Sequence, residues 1–214
     1  MRFDSKKIKE IYTGNVATKY DFSLPPFFAK WKKKAFDESS LKIGDRVLVF
    51  CCGTGLDFPH ILKKIGENGK IVGVDFSTLM LDSAREKIRK NNWNNIELIE
   101  ADIIKFENNS ETKFDVGVCT LGMSIIPDYK TAYKNLVSNI KKDGEVIIGD
   151  MQLASGWLAR FNPFTIFLSK KFGGTFEGHK NSLELYSIMK KELDVVIKKE
   201  FFFKAYYYCI GKVR

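Results

Sequence analysis

The fold is decided by the stretch Val47-Leu48-Val49-Phe50-Cys51-Cys52-Gly53-Thr54-Gly55, followed about twenty residues later by Gly73-Val74-Asp75-Phe76-Ser77. The first apolar run ends in a glycine-rich turn and the second ends in an acid. With a helix between them, the two runs predict a strand–turn–helix–strand unit. Glycines let backbone N–H groups approach a ligand, and Asp75 is placed to accept hydrogen bonds from a ribose diol. The unit therefore predicts a site for an adenosine ligand.

The glycine pattern distinguishes two kinds of adenosine ligand. Dinucleotide sites use G-x-G-x-x-G/A, whose third small residue allows close helix packing. Phe58 takes that place here, which disfavours a pyrophosphate. The stretch instead resembles motif I of the class I S-adenosylmethionine methyltransferases, with Gly53-Thr54-Gly55 as its glycine pair. The resemblance implies S-adenosylmethionine as the cofactor, its methionine part on the turn and its ribose on Asp75. An ordinary glycine turn of an α/β protein is the minority alternative, because Asp75 is correctly spaced.

The composition is that of one globular domain. The chain has 214 residues, 44% of them hydrophobic and 29% charged, enough for a full core without disulfides or metals. No apolar run reaches the roughly 20 residues that span a bilayer, and residues 1–7 lack the apolar core of a secretory signal. The four cysteines form no C-x-x-C motif or cluster with histidine. We therefore expect buried thiols, no metal site and a cytoplasmic location.

The formal net charge of +9 favours an anionic partner, either a nucleic acid or a membrane surface. Methylation of nucleic-acid bases loses support at the end of the predicted fourth strand. This region reads Thr120-Leu121-Gly122-Met123, without the Asn/Asp-Pro-Pro-aromatic motif of adenine-N6 enzymes, and no Pro-Cys pair of cytosine-C5 enzymes occurs. We therefore do not expect a nucleic-acid partner, and RNA methylation is an alternative that rests only on the net charge.

Strand and helix patterns alternate along most of the chain. Strand patterns after the first cover Lys70–Val74, Ile96–Glu100, Phe114–Thr120 and Glu145–Asp150. Helical patterns cover Thr78–Lys90 and Tyr129–Lys141, the latter stopped at Gly144. Alternation of this kind predicts a parallel sheet covered on both faces. Near the end, the apolar runs 195–197, 201–203 and 205–210 follow too closely for a crossover helix, so we expect an antiparallel hairpin.

These patterns predict an α/β fold, a Rossmann-like seven-stranded mostly parallel sheet with a C-terminal antiparallel hairpin. Such a sheet resembles that of the class I methyltransferases over nearly the whole chain. We expect residues 1–214 to form a single methyltransferase domain. Residues 1–40 form its N-terminal helical cap, interrupted at Leu24-Pro25-Pro26, and residues 151–180 form its acceptor-side segment.

The resemblance implies further cofactor contacts beyond the turn. Ala101-Asp102-Ile103 follows the third strand, where the family holds the adenine and an acid bonds its amino group. For Asp102, a turn acid that caps a loop is an equal alternative. Phe76 and Met80 are expected to pack on the adenosine, and a core role is the alternative for both. Thr120 ends the fourth strand, which in the family lies under the transferable methyl group.

Two positions depart from the family pattern. Val49 stands where the family usually carries Asp or Glu, and Cys51 stands where it usually carries glycine. Loss of the acid removes an indirect anchor for the cofactor's ammonium group. Asp57 is a candidate substitute, and weaker cofactor binding or a changed ligand is the alternative. The departures leave open a degenerate methyltransferase fold that binds or regulates a partner. The intact glycine pair and Asp75 argue against that alternative.

Two parts of the sequence point to the methyl acceptor. Tyr20-Asp21 resembles the Tyr-Asp pair of the bacterial soluble phospholipid N-methyltransferases and the ubiquinone/menaquinone C-methyltransferases, where the tyrosine lies over the cofactor. A packing tyrosine is an equal alternative. Phe27–Phe36 and Trp157–Phe172 combine aromatic residues with lysines, which is typical of elements near lipid headgroups. A buried covering helix is at least as common for such a pattern.

We therefore expect the acceptor to be a lipid or lipid-like small molecule, met by a peripheral protein at an anionic membrane. An amine headgroup, as in phospholipid N-methylation, is slightly preferred over the ring of a quinone precursor. An amine needs only a free lone pair, whereas a phenolic carbon needs a base. The sequence assigns no catalytic residue. His179 is a candidate for the base, but a surface position is preferred for it.

Overall fold

The computed structural model describes residues 5–108 and 112–214. Residues 1–4, part of the stretch searched for a secretory signal, lie outside them. The described chain begins with three helices, α1 (Ser5–Tyr12), α2 (Asn15–Ser23) and α3 (Phe27–Glu38). The interruption predicted at residues 24–26 separates α2 from α3, and a second break at residues 13–14 separates α1 from α2.

An alternating series of strands and helices follows the three helices. Its members are β1 (Arg46–Phe50), α4 (Phe58–Ile65), β2 (Lys70–Asp75), α5 (Thr78–Lys90), β3 (Ile96–Glu100), β4 (Phe114–Thr120), α6 (Tyr129–Ser138), β5 (Ile140–Met151), α7 (Asn162–Ser169), α8 (Phe176–Glu192), β6 (Leu193–Phe201) and β7 (Tyr206–Val213). The strands form one sheet in the order β3-β2-β1-β4-β5-β7-β6. Strands β1 to β5 are parallel, and β7 is antiparallel to both β5 and β6. The predicted fold class is confirmed.

The alternation of side chains along β1 builds a core on each face of the sheet. Leu48 and Phe50 belong to the core on one face, and Val47 and Val49 belong to the core on the other. Successive residues of a strand point to opposite faces, so a continuous apolar run is what a doubly covered strand requires. Strand order reverses between β1 and β4, and ligands bind at such a switch point beyond the carboxyl ends of the strands.

The structure corrects two predicted boundaries. Helix α6 ends at Ser138 rather than at Lys141, because Ile140 is buried and already pairs with Phe114 as the first residue of β5. The turn at residues 143–144 lies within β5, where Asp143 has a φ of 62° and the register with β4 shifts. The apparent helix stop is therefore an irregularity in a strand.

The second correction concerns the last aromatic run. Strand β6 ends at Phe201, and Phe202 and Phe203 lie in the hairpin turn rather than in a strand. Together with Lys204 they have φ values of 51°, 54° and 63°. Phe202 stacks on Phe27 of α3, with 5.3 Å between the ring centroids. The hairpin turn therefore packs against the helical cap through Phe202.

Candidate active site

The turn after β1 adopts left-handed backbone conformations at Cys51, Gly53 and Gly55, with φ of 51°, 54° and 77°. This region favours glycine, and a residue with a β-carbon pays about 1–2 kcal/mol to enter it. Cys51 adopts this conformation despite its β-carbon, at the position that departs from the predicted glycine pattern. Gly122 makes the room, because a β-carbon built on it would lie 2.7 Å from Cβ and 2.8 Å from Sγ of Cys51. The departure at position 51 is thus accommodated by a second glycine outside the motif.

Asp75 ties the end of β2 to this turn. Its Oδ2 accepts a hydrogen bond from the Gly53 N–H at 2.9 Å, and its Oδ1 accepts one from the Ser77 N–H at 3.0 Å. The side chain is buried, and burial raises its pKa above the usual range of a carboxyl. Each carboxylate oxygen has two lone pairs, so both retain an acceptor position for a ligand hydroxyl. The arrangement fits a ribose diol.

A cavity beyond the carboxyl ends of the parallel strands is here called the cofactor cavity. It brings most of the predicted cofactor residues together. The predicted residues in its wall are Tyr20, Cys51, Cys52, Gly53, Thr54, Asp75, Phe76, Met80 and Thr120. Met80 lies against the turn, since its Cε would be 3.1 Å from a β-carbon built on Gly53. Gly55 is not in this wall, and a β-carbon there would lie 2.6 Å from the ring of the fully buried Phe58. The small side chains of the turn leave space on the cavity side.

The predicted adenine residues lie beside Asp75 but outside the cavity wall. The Ala101 N–H donates to the Asp75 carbonyl at 3.0 Å, which places residues 101–103 at the end of β3. Ile103 is buried in the core. Asp102 is exposed, and its carboxylate accepts a hydrogen bond from the Ile104 N–H at 3.0 Å. This is the loop-capping contact considered above, and an adenine contact of Asp102 stays a prediction.

The helices α1 and α2 cover the cofactor cavity. The Tyr20 ring lies 6.2 Å from that of Tyr12 and 5.6 Å from that of Phe172, measured between centroids. The neighbouring Asp21 accepts a hydrogen bond from the Thr54 hydroxyl and pairs with Lys87 of α5. Lys87 also donates to the Thr54 carbonyl at 2.8 Å. The Tyr-Asp pair therefore joins the helical cap to the glycine turn.

A buried ion pair also faces the cofactor cavity. The Lys32 Nζ of α3 lies 2.9 Å from Oδ1 of Asp57, which directly precedes α4. Oδ2 of Asp57 accepts a hydrogen bond from the Thr120 hydroxyl at 2.5 Å. All three residues line the cavity. Val49, at the position of the family's acid, is instead buried in the core.

A second cavity of about 120 Å³, here called the acceptor cavity, adjoins the first. The two cavities share the wall residues Tyr12, Tyr20, Leu121 and Ile125. Its other walls come from the region around residues 24–28, the hairpin turn and the segment 168–179. The acceptor-side segment predicted at residues 151–180 thus lines a cavity next to the cofactor residues.

A buried histidine and a buried aspartate line the acceptor cavity beside the buried Ser124, and only the histidine was a candidate from sequence. His179 is fully buried rather than on the surface, because α8 packs it beneath the acceptor-side segment. Its Nε2 lies 3.1 Å from Ser169 Oγ, and its Nδ1 has no hydrogen-bond partner in the described part of the chain. Burial lowers the pKa of His179 to about 4. The imidazole is therefore neutral at physiological pH.

Asp150 follows the buried apolar residues of β5 and is the buried aspartate of the acceptor cavity. Its carboxylate accepts hydrogen bonds from the Ser124 N–H at 2.8 Å, the Ser124 hydroxyl at 2.6 Å and the Met151 N–H at 2.7 Å. Burial raises its pKa to about 6 despite these bonds. Its position at the carboxyl end of a parallel strand was a usable signal in the sequence. Lys32 and His179 carried no such signal, because distant helices place them.

Comparison with curated proteins shows similarity to demethylmenaquinone methyltransferases. The chain is 31% identical over 157 residues to the protein of that name from Lactobacillus johnsonii, covering 70% of this chain and 64% of the relative. It is 30% identical over 151 residues to the one from Listeria welshimeri, covering 69% and 63%. The chain thus spans less than two thirds of the length of these relatives.

Comparison with solved structures shows similarity in fold. An S-adenosylmethionine-dependent methyltransferase from Aquifex aeolicus superposes with a TM-score of 0.70 at 19% identity, covering 100% of both chains. The N-methyltransferase NodS from Bradyrhizobium japonicum, solved with S-adenosylhomocysteine, superposes with a TM-score of 0.67 at 13% identity, covering 97% of each chain.

The family model of the ubiE/COQ5 methyltransferases matches residues 1–162. This range contains the helical cap, the glycine turn, Asp75 and all five parallel strands, and it ends before most of the acceptor-side segment. The resemblance to class I methyltransferases is confirmed. Because the match extends over more than half of its residues, this chain belongs to the ubiE/COQ5 methyltransferase family, with S-adenosylmethionine as the cofactor.

Proposed function

We propose that this protein transfers a methyl group from S-adenosylmethionine to a ring carbon of a quinone-like small molecule bound in its phenolic form. The bound cofactor supplies an electrophilic methyl group. The observation that carries the proposal is an apolar cavity beside the candidate cofactor residues, with a buried histidine, His179, and a buried aspartate, Asp150, in its wall. The names of the curated relatives support the same ring chemistry. The amine headgroup, slightly preferred from sequence alone, becomes the second choice.

The two polar groups match what a ring acceptor needs. A phenolic carbon becomes nucleophilic when the adjacent hydroxyl gives up its proton, so a proton acceptor is required. Asp150, with a pKa of about 6, is ionised at pH 7 and more basic than an ordinary carboxylate. We assign proton acceptance to Asp150 and hydrogen bonding of a ring oxygen to the neutral His179. An amine acceptor has no ring oxygen, so it would leave His179 without this role.

The cavity also suits a ring in size and lining. A dry apolar cavity of about 150 Å³ accepts benzene in another protein, and this cavity measures about 120 Å³. Phe27, Phe28, Phe172 and Phe202 contribute aromatic faces to its wall. Because it shares wall residues with the cofactor cavity, a bound ring is held next to the cofactor, and such positioning supplies much of the rate enhancement in group transfer.

Methyl-labelled cofactor tests this proposal directly. Purified protein is incubated with this cofactor and one of two acceptors. One acceptor is a short-tailed demethylated quinol, kept reduced, and the other is phosphatidylethanolamine in micelles. Mass spectrometry then identifies the labelled position. We expect label on a ring carbon. The Asp150→Asn variant should turn over about a hundredfold more slowly while still binding S-adenosylhomocysteine. Asp115→Asn is the control, because Asp115 is an acid of β4 that pairs with Lys141, and its turnover should not fall.

Other outcomes of the same experiment identify the alternatives. Label on the amine nitrogen would establish phospholipid N-methylation instead. Normal binding of S-adenosylhomocysteine with no turnover of either acceptor would favour a degenerate fold that binds or regulates a partner.

We also propose that the acceptor is taken from an anionic membrane surface. No helix in residues 5–108 and 112–214 is long and apolar enough to cross a bilayer, so the contact proposed is peripheral. Residues 153–176 contain no acid but include Arg160, Lys170 and Lys171. Within this stretch Trp157 and Phe167 are 67% and 72% exposed. Exposed aromatics among cations, without acids, fit the interface of an anionic bilayer.

This surface is continuous with the opening of the acceptor cavity. Trp157 packs edge-on against Phe161, and Phe161 stacks on Phe203 at 4.7 Å between centroids. Phe203 contacts Phe202, which lines the cavity, as does Leu168 at the end of α7. An acceptor with an apolar tail could therefore leave the bilayer with its ring entering the cavity and its tail along this surface.

A further inference from the structure

We propose that the Lys32–Asp57 pair holds the amino-acid end of S-adenosylmethionine, with Lys32 taking the carboxylate and Asp57 taking the ammonium group. This inference rests on the cofactor assignment of the proposed function but not on the acceptor. It assigns the role of the missing acid at position 49 to a different residue and adds a cation as its counterpart.

The pair is built like a binding site for opposite charges. Both side chains are 7% exposed, and they lie in the wall of the cofactor cavity together with Gly53 and Thr54. A lysine ammonium has three donors. Oδ1 of Asp57 lies 2.9 Å from Nζ but accepts no hydrogen bond from the described residues. Each partner therefore neutralises the other while retaining capacity for a ligand.

The chemistry of the ligand requires such a pair. The amino-acid end of the cofactor carries one negative and one positive group, and burying either without a partner is costly. Asp75 is already engaged with the N–H groups of Gly53 and Ser77. Thr120 orients Asp57 through its hydroxyl at 2.5 Å, which fixes the carboxylate between the cap and the end of β4.

A purely structural ion pair is the alternative, since the contact also joins α3 to the start of α4. The two roles differ in which ligand they affect. A structural pair stabilises the cavity for any adenosine compound, whereas a binding pair acts only on compounds that carry the amino-acid group.

Calorimetric titration with S-adenosylhomocysteine and with 5′-methylthioadenosine, which lacks the amino-acid group, separates these roles. We expect Lys32→Met to weaken S-adenosylhomocysteine binding about tenfold to a hundredfold, as for lost hydrogen bonds to charged groups. Binding of 5′-methylthioadenosine should change less than about twofold. Asp57→Asn should show the same selectivity. Lys33→Met is the matched control, because Lys33 is exposed and pairs with Asp37 on the same helix.

Equal loss of both ligands in the Lys32 and Asp57 variants would assign the pair a structural role, and unchanged affinity for both would also overturn the proposal. Retained binding of 5′-methylthioadenosine shows that a variant has folded. If the wild-type protein binds neither ligand, the cofactor assignment itself fails, and this inference fails with it. Failure of the selectivity alone leaves the proposed methyl transfer intact.

Discussion

The Thr54 hydroxyl donates a hydrogen bond of 2.6 Å to Asp21, across 33 residues of sequence. The contact joins the glycine turn, which holds the cofactor residues, to α2, which covers them. Lys87 reinforces it by contacting both residues. The Tyr-Asp pair thus has two separate tasks, since Tyr20 lines both cavities and Asp21 fastens the helix that carries it.

We expect Asp21→Ala to loosen this cover. The Thr54 hydroxyl loses its acceptor and Lys87 loses its carboxylate partner, so S-adenosylhomocysteine should dissociate about tenfold faster. Trypsin should also cut more readily within residues 15–23. Stopped-flow displacement and timed proteolysis measure the two effects. Asp82→Ala is the control, because Asp82 pairs with Arg85 on the exposed side of the same helix as Lys87. Unchanged dissociation and proteolysis would show that α2 is held by other contacts.

The two buried groups of the acceptor cavity should have opposite effects on stability against pH. Burial raises the pKa of Asp150 from 3.8 to about 6, so its contribution to stability is present below pH 4 and is lost as the pH rises through 6. Burial lowers the pKa of His179 from 6.5 to about 4, so its contribution is present above pH 6.5 and is lost as the pH falls through 4. Each effect amounts to about 3 kcal/mol, and in the wild-type protein they largely cancel.

Removing one group should expose the effect of the other. Relative to wild type, Asp150→Asn should gain free energy of unfolding between pH 4 and pH 7, and His179→Gln should lose it over the same range. Urea unfolding at half-unit pH steps measures both differences, in which the contributions of all other groups subtract out. Parallel curves for wild type and both variants would contradict the assigned burial of these groups.

The membrane proposal predicts a selective loss of vesicle binding. Wild-type protein should co-sediment with vesicles rich in phosphatidylglycerol at low salt, and Trp157→Ser and Phe167→Ser should each weaken binding about tenfold, as for loss of one buried aromatic side chain. Ile43→Ser is the matched control, because Ile43 is 75% exposed and precedes β1, at the amino ends of the parallel strands. Wild-type protein that stays in solution with these vesicles would point to a water-soluble acceptor.

The sequence could predict the candidate cofactor residues of the glycine turn and Asp75 because they lie close together along the chain. Residues 47–77 form one strand–turn–helix–strand unit, so spacing alone places Asp75 beside the glycine turn. The parallel sheet followed from the alternation of strands and helices, and the hairpin followed from its break near the end of the chain. The end of α6 was wrong because Ile140 gains more from pairing with Phe114 than from another helical residue.

The residues of the acceptor cavity could not be predicted from sequence in the same way. His179 lies on a helix whose sequence does not show which face is buried, and its position depends on packing beneath residues 168–172. Lys32 looked like one of several solvent-exposed lysines in α3, yet it reaches the cavity because Asp57 lies opposite. Contacts between segments far apart in sequence leave no periodic signal.

The contact between Cys51 and Gly122 constrains the order in which substitutions can be accepted. While Cys51 is present, a side chain at position 122 meets both its Cβ and its Sγ within 3 Å, so even alanine is excluded there. Glycine at position 51 would relieve the left-handed backbone and remove these two contacts, but Sγ of Cys119 lies 2.9 Å from the same β-carbon. Position 122 is therefore free to vary only when position 119 is also small, whereas a lineage with cysteine at 51 must keep its second glycine.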